Sequence, residues 1–247
     1  MKTSLTILSD VLIDAKRNSL FHVTLLISLG LVLLCTVISA LDDNFGGKIY
    51  IELGFTFLWF VHFLLALIYS AESLYGEDER KSVYFYLSRH VSRQEYILGK
   101  YAGIVSVLTI SLTISGIVFL LCSTYLVGFK FQILWGLLFI LLELIVISGT
   151  VLFLSRIFSK FLTFFIFIFI FFFTNVLEFI ELASDLAPFV KMLYLFLPNF
   201  KYFDFIEMVV HAKQISLEYV LFLLAYTTFI SLIMTSLSVS QYEQKQI

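Results

Sequence analysis

The chain alternates long apolar runs with short polar breaks, and the runs are longer than a soluble core needs. Val23 to Leu41 carries no charged side chain and neither does Tyr101 to Phe129, while Phe161 to Leu177 is almost entirely Phe, Ile, Leu and Thr. About 20 apolar residues cross the hydrocarbon of a bilayer at roughly 1.5 Å per helical residue. Lipid offers the backbone no hydrogen-bond partners, so each run is expected to be a helix in spite of its Phe, Ile and Val. The Phe-rich run would read as strand in water, but nothing in it punctuates a turn. The pattern predicts six spans, at residues 20–41, 49–75, 98–128, 131–155, 161–178 and 216–239. The expected fold class is an all-α membrane protein, with a single transmembrane domain over residues 1–247.

The breaks carry their own signals. In residues 1–18, Leu5, Leu8, Leu12 and Ala15 fall on one helical face with Ile7 and Val11 beside them, and Thr6, Asp10, Asp14 and Arg17 fall on the other. Such a helix is expected to lie at the membrane interface, although a plain cytoplasmic lead-in to the first span fits the same residues. Asp10 and Asp14 interrupt the stretch, so it does not read as a secretory signal. Asp42 to Gly47 is a tight turn by composition. Residues 179–215 hold both prolines, Pro188 and Pro198, and mix apolar clusters with charges, which predicts short helices at or dipping into the outer leaflet.

Composition agrees with the pattern: 60% hydrophobic residues, a mean hydropathy of +1.00 and 14% charged residues exclude an ordinary soluble domain. The net charge of −2 averages two unlike faces. With six spans, Lys2, Lys16, Arg17, Arg80, Lys81, Arg89, Arg93, Lys100, Arg156, Lys160 and Lys245 share a side, and Lys48, Lys130, Lys191, Lys201 and Lys213 take the other. The excess makes the first side cytoplasmic, with both termini there, in a bacterial inner membrane. Cys35 and Cys122 lie inside apolar runs and read as small hydrophobes, not as a disulfide or metal pair.

The loop over residues 76–97 concentrates the remaining chemistry. Glu77, Asp78 and Glu79 precede Arg80 and Lys81, the order a helix dipole favours, and Glu77 and Lys81 are an i,i+4 pair. Val83 to Leu87 adds an aromatic face, Ser88 to Val91 breaks it, and Ser92 with Glu95 forms a capping box for the third span. The expectation is a short cytoplasmic helix, a turn and a firmly started membrane helix.

The residues from Ile51 through Gly103 then resemble the signature region of ABC-2 type transporter permeases, closest to the NosY-like subgroup. The likeness is carried by Glu77-Asp78-Glu79-Arg80-Lys81-Ser82-Val83-Tyr84, by Leu87-Ser88-Arg89-His90-Val91-Ser92-Arg93 and by Gly99-Lys100-Tyr101-Ala102-Gly103, about twenty-seven positions without a gap. Leu197-Pro198-Asn199-Phe200 with Phe203-Asp204 resembles a second pattern of that subgroup. His90 stands where the family usually has proline, which loosens the turn. The resemblance implies that the 76–97 loop supplies a coupling helix, which docks on a separate cytoplasmic ABC ATPase. Two such ATPases and a second copy of the permease would complete the transporter. Glu77, Glu79, Arg80, Lys81, Tyr84, Arg89 and Arg93 would be the docking residues, with Ser92, Arg93, Gly99 and Lys100 turning the chain into the third span.

No enzyme activity of its own is expected. Gly99-Lys100 lacks the upstream glycine of a P-loop, so ATP and its Mg²⁺ would belong to the partner, and no cofactor, metal or nucleic-acid site is read in this chain. Glu143, at the middle of the fourth predicted span, should face the bundle interior with a partner or be neutral, as a substrate-path or gating residue or as a packing one. His62 lies within the second span and His22 at the start of the first, at depths too different for a shared haem, so His62 is expected to be a satisfied interior residue. Thr174 and Asn175 are expected to bond between helices. The leading function is therefore the permease subunit of an ATP-driven transporter. The alternative is a membrane scaffold or assembly factor that passes ATPase-driven motion to a periplasmic or surface partner through residues 179–215. An intramembrane enzyme would need a nucleophile or metal cluster that the spans do not offer.

Overall fold

A computed structural model describes residues 2–41, 46–80, 92–181, 197–211 and 213–244. The described residues are 90% helical and contain no strand. In chain order they form α1 (Lys2–Arg17), α2 (Ser19–Ser39), α3 (Gly46–Arg80), α4 (Arg93–Val127), α5 (Gln132–Ile157), α6 (Lys160–Glu181), a 3-10 turn at Phe200–Phe203, α7 (Ile206–Val210) and α8 (Leu217–Gln244). Five helical stretches are long and apolar enough to cross a membrane: Ser19–Ser39, Gly46–Ser73, Arg93–Val127, Gln132–Ile157 and Leu217–Gln241. They mark the chain as a multi-pass membrane protein. The expected 161–178 span falls on α6, a 22-residue helix whose apolar stretch, Lys160–Asn175, is shorter.

Local chemistry sets the helix ends. Asn18 caps α2 by accepting the Leu20 N–H at 2.9 Å, and Ser92 caps α4 by accepting the Glu95 N–H at 3.2 Å. Gly128, at φ 82°, takes the left-handed backbone that ends α4. Glycine is needed there because a side chain at that φ would be strained.

Packing places α5 at the centre. Phe139, Ile140, Leu144, Val146, Ile147, Val151 and Leu152 are all fully buried. Around it, α3 meets α2, α4, α5 and α6, while α8 lies on α5 and α4. The helices leave apolar ridges outside, among them Leu26, Leu33 and Val37 on α2 and Phe161, Phe165, Phe169 and Phe172 on α6. Lipid, not water, is the natural neighbour of such ridges.

α3 and α4 run antiparallel. Gly47 lies beside Val127, Tyr50 stacks on Phe119, and His62 meets Ser111. The same register carries Arg80 and Arg93 to one end of the bundle. At that end α1 packs lengthwise on α4. Its buried line is Ile7, Val11 and Ala15, and Tyr69 of α3 donates its hydroxyl to the Val11 carbonyl at 3.2 Å. This corrects the phase of the amphipathic face: Leu8 and Leu12 are only half-buried on its flank. The cause is Gly103, whose bare backbone opens a groove in α4 that Val11 fills.

A second difference concerns the 76–97 loop. As far as it is described, the expected separate helix begins as a continuation of α3, with Glu77, Glu79 and Arg80 in its last turn. Ser92 starts α4 at Arg93 as its capping box predicts, so Gly99 and Lys100, which the resemblance assigns to the turn into the third span, lie within the helix. Residues 81–91, with Lys81, Tyr84 and Arg89, lie outside the described residues, as do the side chains of Glu77, Glu79 and Arg80.

Candidate functional site in the bundle interior

Two polar side chains face each other at mid-length of α3 and α5. Trp59 lies thirteen residues into α3 from Gly46, and Glu143 lies eleven into α5 from Gln132, on helices that pack together. The Trp59 indole N–H donates to Oε2 of Glu143 at 2.7 Å. Glu143 is 5% exposed and, among the described residues, no Lys, Arg or His is paired with it. Asp204, which ends the 3-10 turn, is exposed.

Aromatic rings wall the pair. Trp59 stacks on Phe63 with centroids 5.1 Å apart and lies 5.8 Å from Phe171, which is itself 5.1 Å from Phe63. Phe200 of the 3-10 turn closes on Phe167 and Phe171. Beside it Phe205 enters between Phe55 and Phe139, above Gly136, where a Cβ would stand 3.0 Å from the Phe205 ring. Two hydroxyls on α8 tie residues 197–210 down: Tyr226 accepts the Asn199 N–H at 2.6 Å, and Tyr219 donates to the Tyr202 carbonyl. The segment that sequence placed at or in the outer leaflet is thus wedged, over residues 197–210, into the bundle that holds Glu143.

His62 sits one turn from Trp59 and is fully buried. Its Nδ1–H donates to the Leu58 carbonyl at 2.8 Å, which leaves Nε2 to accept from the Ser111 hydroxyl at 3.2 Å. Ser115 is 3.4 Å from the same nitrogen but donates to the Ser111 carbonyl at 3.0 Å. Both ring nitrogens have partners in this tautomer, as a buried neutral imidazole requires. His62 therefore ties α3 to α4. His22 places Nδ1 3.0 Å from the Asn18 carbonyl, within its own helix.

Thr174 and Asn175 do not bond between helices as expected. Both return to the Phe171 carbonyl, at 3.1 Å and 2.8 Å, because that oxygen lies within a turn of each. At the other end of α6, Lys160 pairs with Glu72 of α3. Arg93, the first residue of α4, is half-buried. Among the described residues no group of three or more His, Cys, Asp or Glu could hold a metal ion, and Cys35 and Cys122 are free thiols.

Trp59 is the partner of Glu143 that sequence reading passed over. The available signal was a mid-span indole, whose N–H must find an acceptor in lipid, at the same depth as the one mid-span carboxyl of the neighbouring helix. No protein-family model and no curated protein matches this chain. The class that the fold and site define is a multi-pass helical membrane protein with an acidic, aromatic-walled centre.

Proposed function

We propose that the chain is the permease subunit of an ATP-driven transporter in a bacterial cytoplasmic membrane. It would cross six times, with α6 as the fifth crossing and both termini inside. ATP hydrolysis belongs to a separate cytoplasmic ABC ATPase, present in two copies, and a second copy of this chain completes the membrane part. The loop between α3 and α4 is the docking element, through Glu77, Glu79, Arg80, Lys81, Tyr84, Arg89 and Arg93.

The observation that carries this reading is length. α3 and α4 each have 35 residues, about 52 Å of helix, where the hydrocarbon needs about 30 Å. Their antiparallel register puts much of the surplus at the Arg80–Arg93 end, where α1 braces α4 and five cations lie within residues 80–100. Two stiff rods emerging together there can carry a push from a soluble partner to mid-membrane. His62–Ser111 and Tyr50–Phe119 link those rods to each other, and Trp59–Glu143 links α3 to α5.

The test is association. Tagged protein extracted in mild detergent is expected to hold a soluble P-loop ATPase, and the double reversal Arg80→Glu with Lys81→Glu should release it. An ATPase that stays bound to the reversed variant contradicts the docking.

The scaffold reading draws on the wedged outer segment. Residues 197–210 touch α3, α5 and α6, so motion in the bundle reaches the outer surface without a translocated solute. ATPase activity stimulated by an outer protein and by no small molecule would favour it.

A further inference from the structure

From Gly46 to Ser73, the exposed residues of α3 are Lys48, Glu52, Thr56, Phe60 and Leu64. They recur every four residues and so form one line along the helix, the strip that α2, α4, α5 and α6 leave uncovered. The line is polar towards Gly46 and apolar further along. We infer that it binds a phospholipid of the phosphatidylethanolamine class, whose primary ammonium is received by Glu52. The inference goes beyond the permease reading and needs only that α3 crosses the membrane.

Depth is the first argument. With the hydrocarbon starting at residue 49, as the hydrophobic pattern sets it, Glu52 lies about 4.5 Å inside and Phe60 about 16 Å, near the midplane. An acid facing lipid at such a depth calls for a partner. Among the described residues neither Glu52 nor Lys48 makes an ion pair. Lys before Glu is the weaker order for an intrahelical pair, and Thr56 gives its hydroxyl to the Glu52 carbonyl, not to its carboxylate. Side chains tilt towards the start of their helix, which carries the Glu52 carboxylate back to the headgroup layer.

Charge chooses the head. A primary ammonium offers that carboxylate three N–H donors, and the long Lys48 stem can bring its own ammonium to the phosphate of the same lipid. Phe60 and Leu64, 50% and 38% exposed, continue the line beneath an acyl chain. A lipid with a net negative head would be repelled by Glu52, and a choline head has no N–H to give it. A second copy related by a two-fold axis along the membrane normal would set equal depths together, Glu52 against Glu52 and Lys48 against Lys48. Those contacts repel.

Lipid selectivity in native mass spectrometry tests the site. Protein stripped of lipid in mild detergent is titrated with dioleoyl phosphatidylethanolamine and, separately, with dioleoyl phosphatidylcholine, which differs only in its N-methyl groups. The ethanolamine lipid should bind about fivefold more tightly, the effect of one charge-assisted bond at an exposed position. Glu52→Gln should bring it down to the choline level. Glu218→Gln, at the exposed start of α8, should keep the preference. Both altered side chains are exposed, so neither change disturbs the packing. Equal binding of the two lipids by the unaltered protein, or a preference that survives Glu52→Gln, overturns the site. A dimer that takes up no Glu52-dependent lipid overturns it too, because a second copy then covers the line. The ATPase plays no part in this titration, so the transporter reading and the lipid site stand or fall separately.

Discussion

Gly103→Ala probes the brace between α1 and α4. A Cβ at residue 103 would stand 2.6, 2.8 and 3.0 Å from Val11 Cβ, Cγ1 and Cγ2. Carbons in contact sit about 3.5–4.0 Å apart, so a gap of about 1 Å must open. The closest atom is Cβ of Val11 itself, which no rotamer change can move, so the α1 backbone has to shift. Overpacking of this kind costs about 1–3 kcal/mol. The shift also endangers the Tyr69 bond to the Val11 carbonyl, a neutral hydrogen bond that contributes about 1 kcal/mol. The undocking equilibrium of α1 should therefore move by about 2–4 kcal/mol, or about 30-fold to several hundred-fold.

Hydrogen exchange on the backbone amides of α1, in nanodiscs, reads that equilibrium directly. The control is Gly30→Ala on α2, where an added Cβ meets nothing within 4 Å. It should leave α1 exchange unchanged and raise overall stability by about 0.5–1 kcal/mol, the ordinary gain of alanine over glycine in a helix. If Gly103→Ala exchanges like the Gly30→Ala control, α1 is not held in the groove and the brace is wrong.

Three further outcomes follow from the same contacts. Trp59→Phe removes the donor to Glu143 and leaves the buried carboxyl without its bond, which should lower stability by about 1–3 kcal/mol in chemical denaturation; a change below about 0.5 kcal/mol would contradict the pairing. Ser111→Ala leaves Nε2 of His62 without its donor, at a cost of about 1–2 kcal/mol, and Ser115→Ala, whose hydroxyl bonds its own helix, should cost less; equal losses would contradict the tautomer assigned here. Lys160→Ala breaks a pair whose side chains are 41% and 35% exposed, so thermal unfolding should shift by less than about 1 kcal/mol, and less again in high salt.

Sequence made five of the six expected spans legible because hydrophobic length in lipid depends on no neighbour. Ser92 was legible as a helix start for a similar reason: a cap is a contact over three residues. The face of α1 was not, since Ile7, Val11 and Ala15 are selected over Leu8 and Leu12 by a groove that Gly103 opens ninety-two residues beyond Val11. The partner of Glu143 was hidden likewise: an acid in a span demands a donor, but eighty-four residues separate it from Trp59. Thr174 and Asn175 were misread because an intrahelical carbonyl always competes with a neighbouring helix.

The central claim is that the segment joining α3 and α4 faces the cytoplasm and touches an ATP-hydrolysing subunit. A photo-crosslinking residue in place of Tyr84, activated in intact cells, tests it most directly. The account predicts a covalent product with a cytoplasmic chain that carries a P-loop, identified by mass spectrometry. Products with periplasmic or outer proteins instead would contradict it.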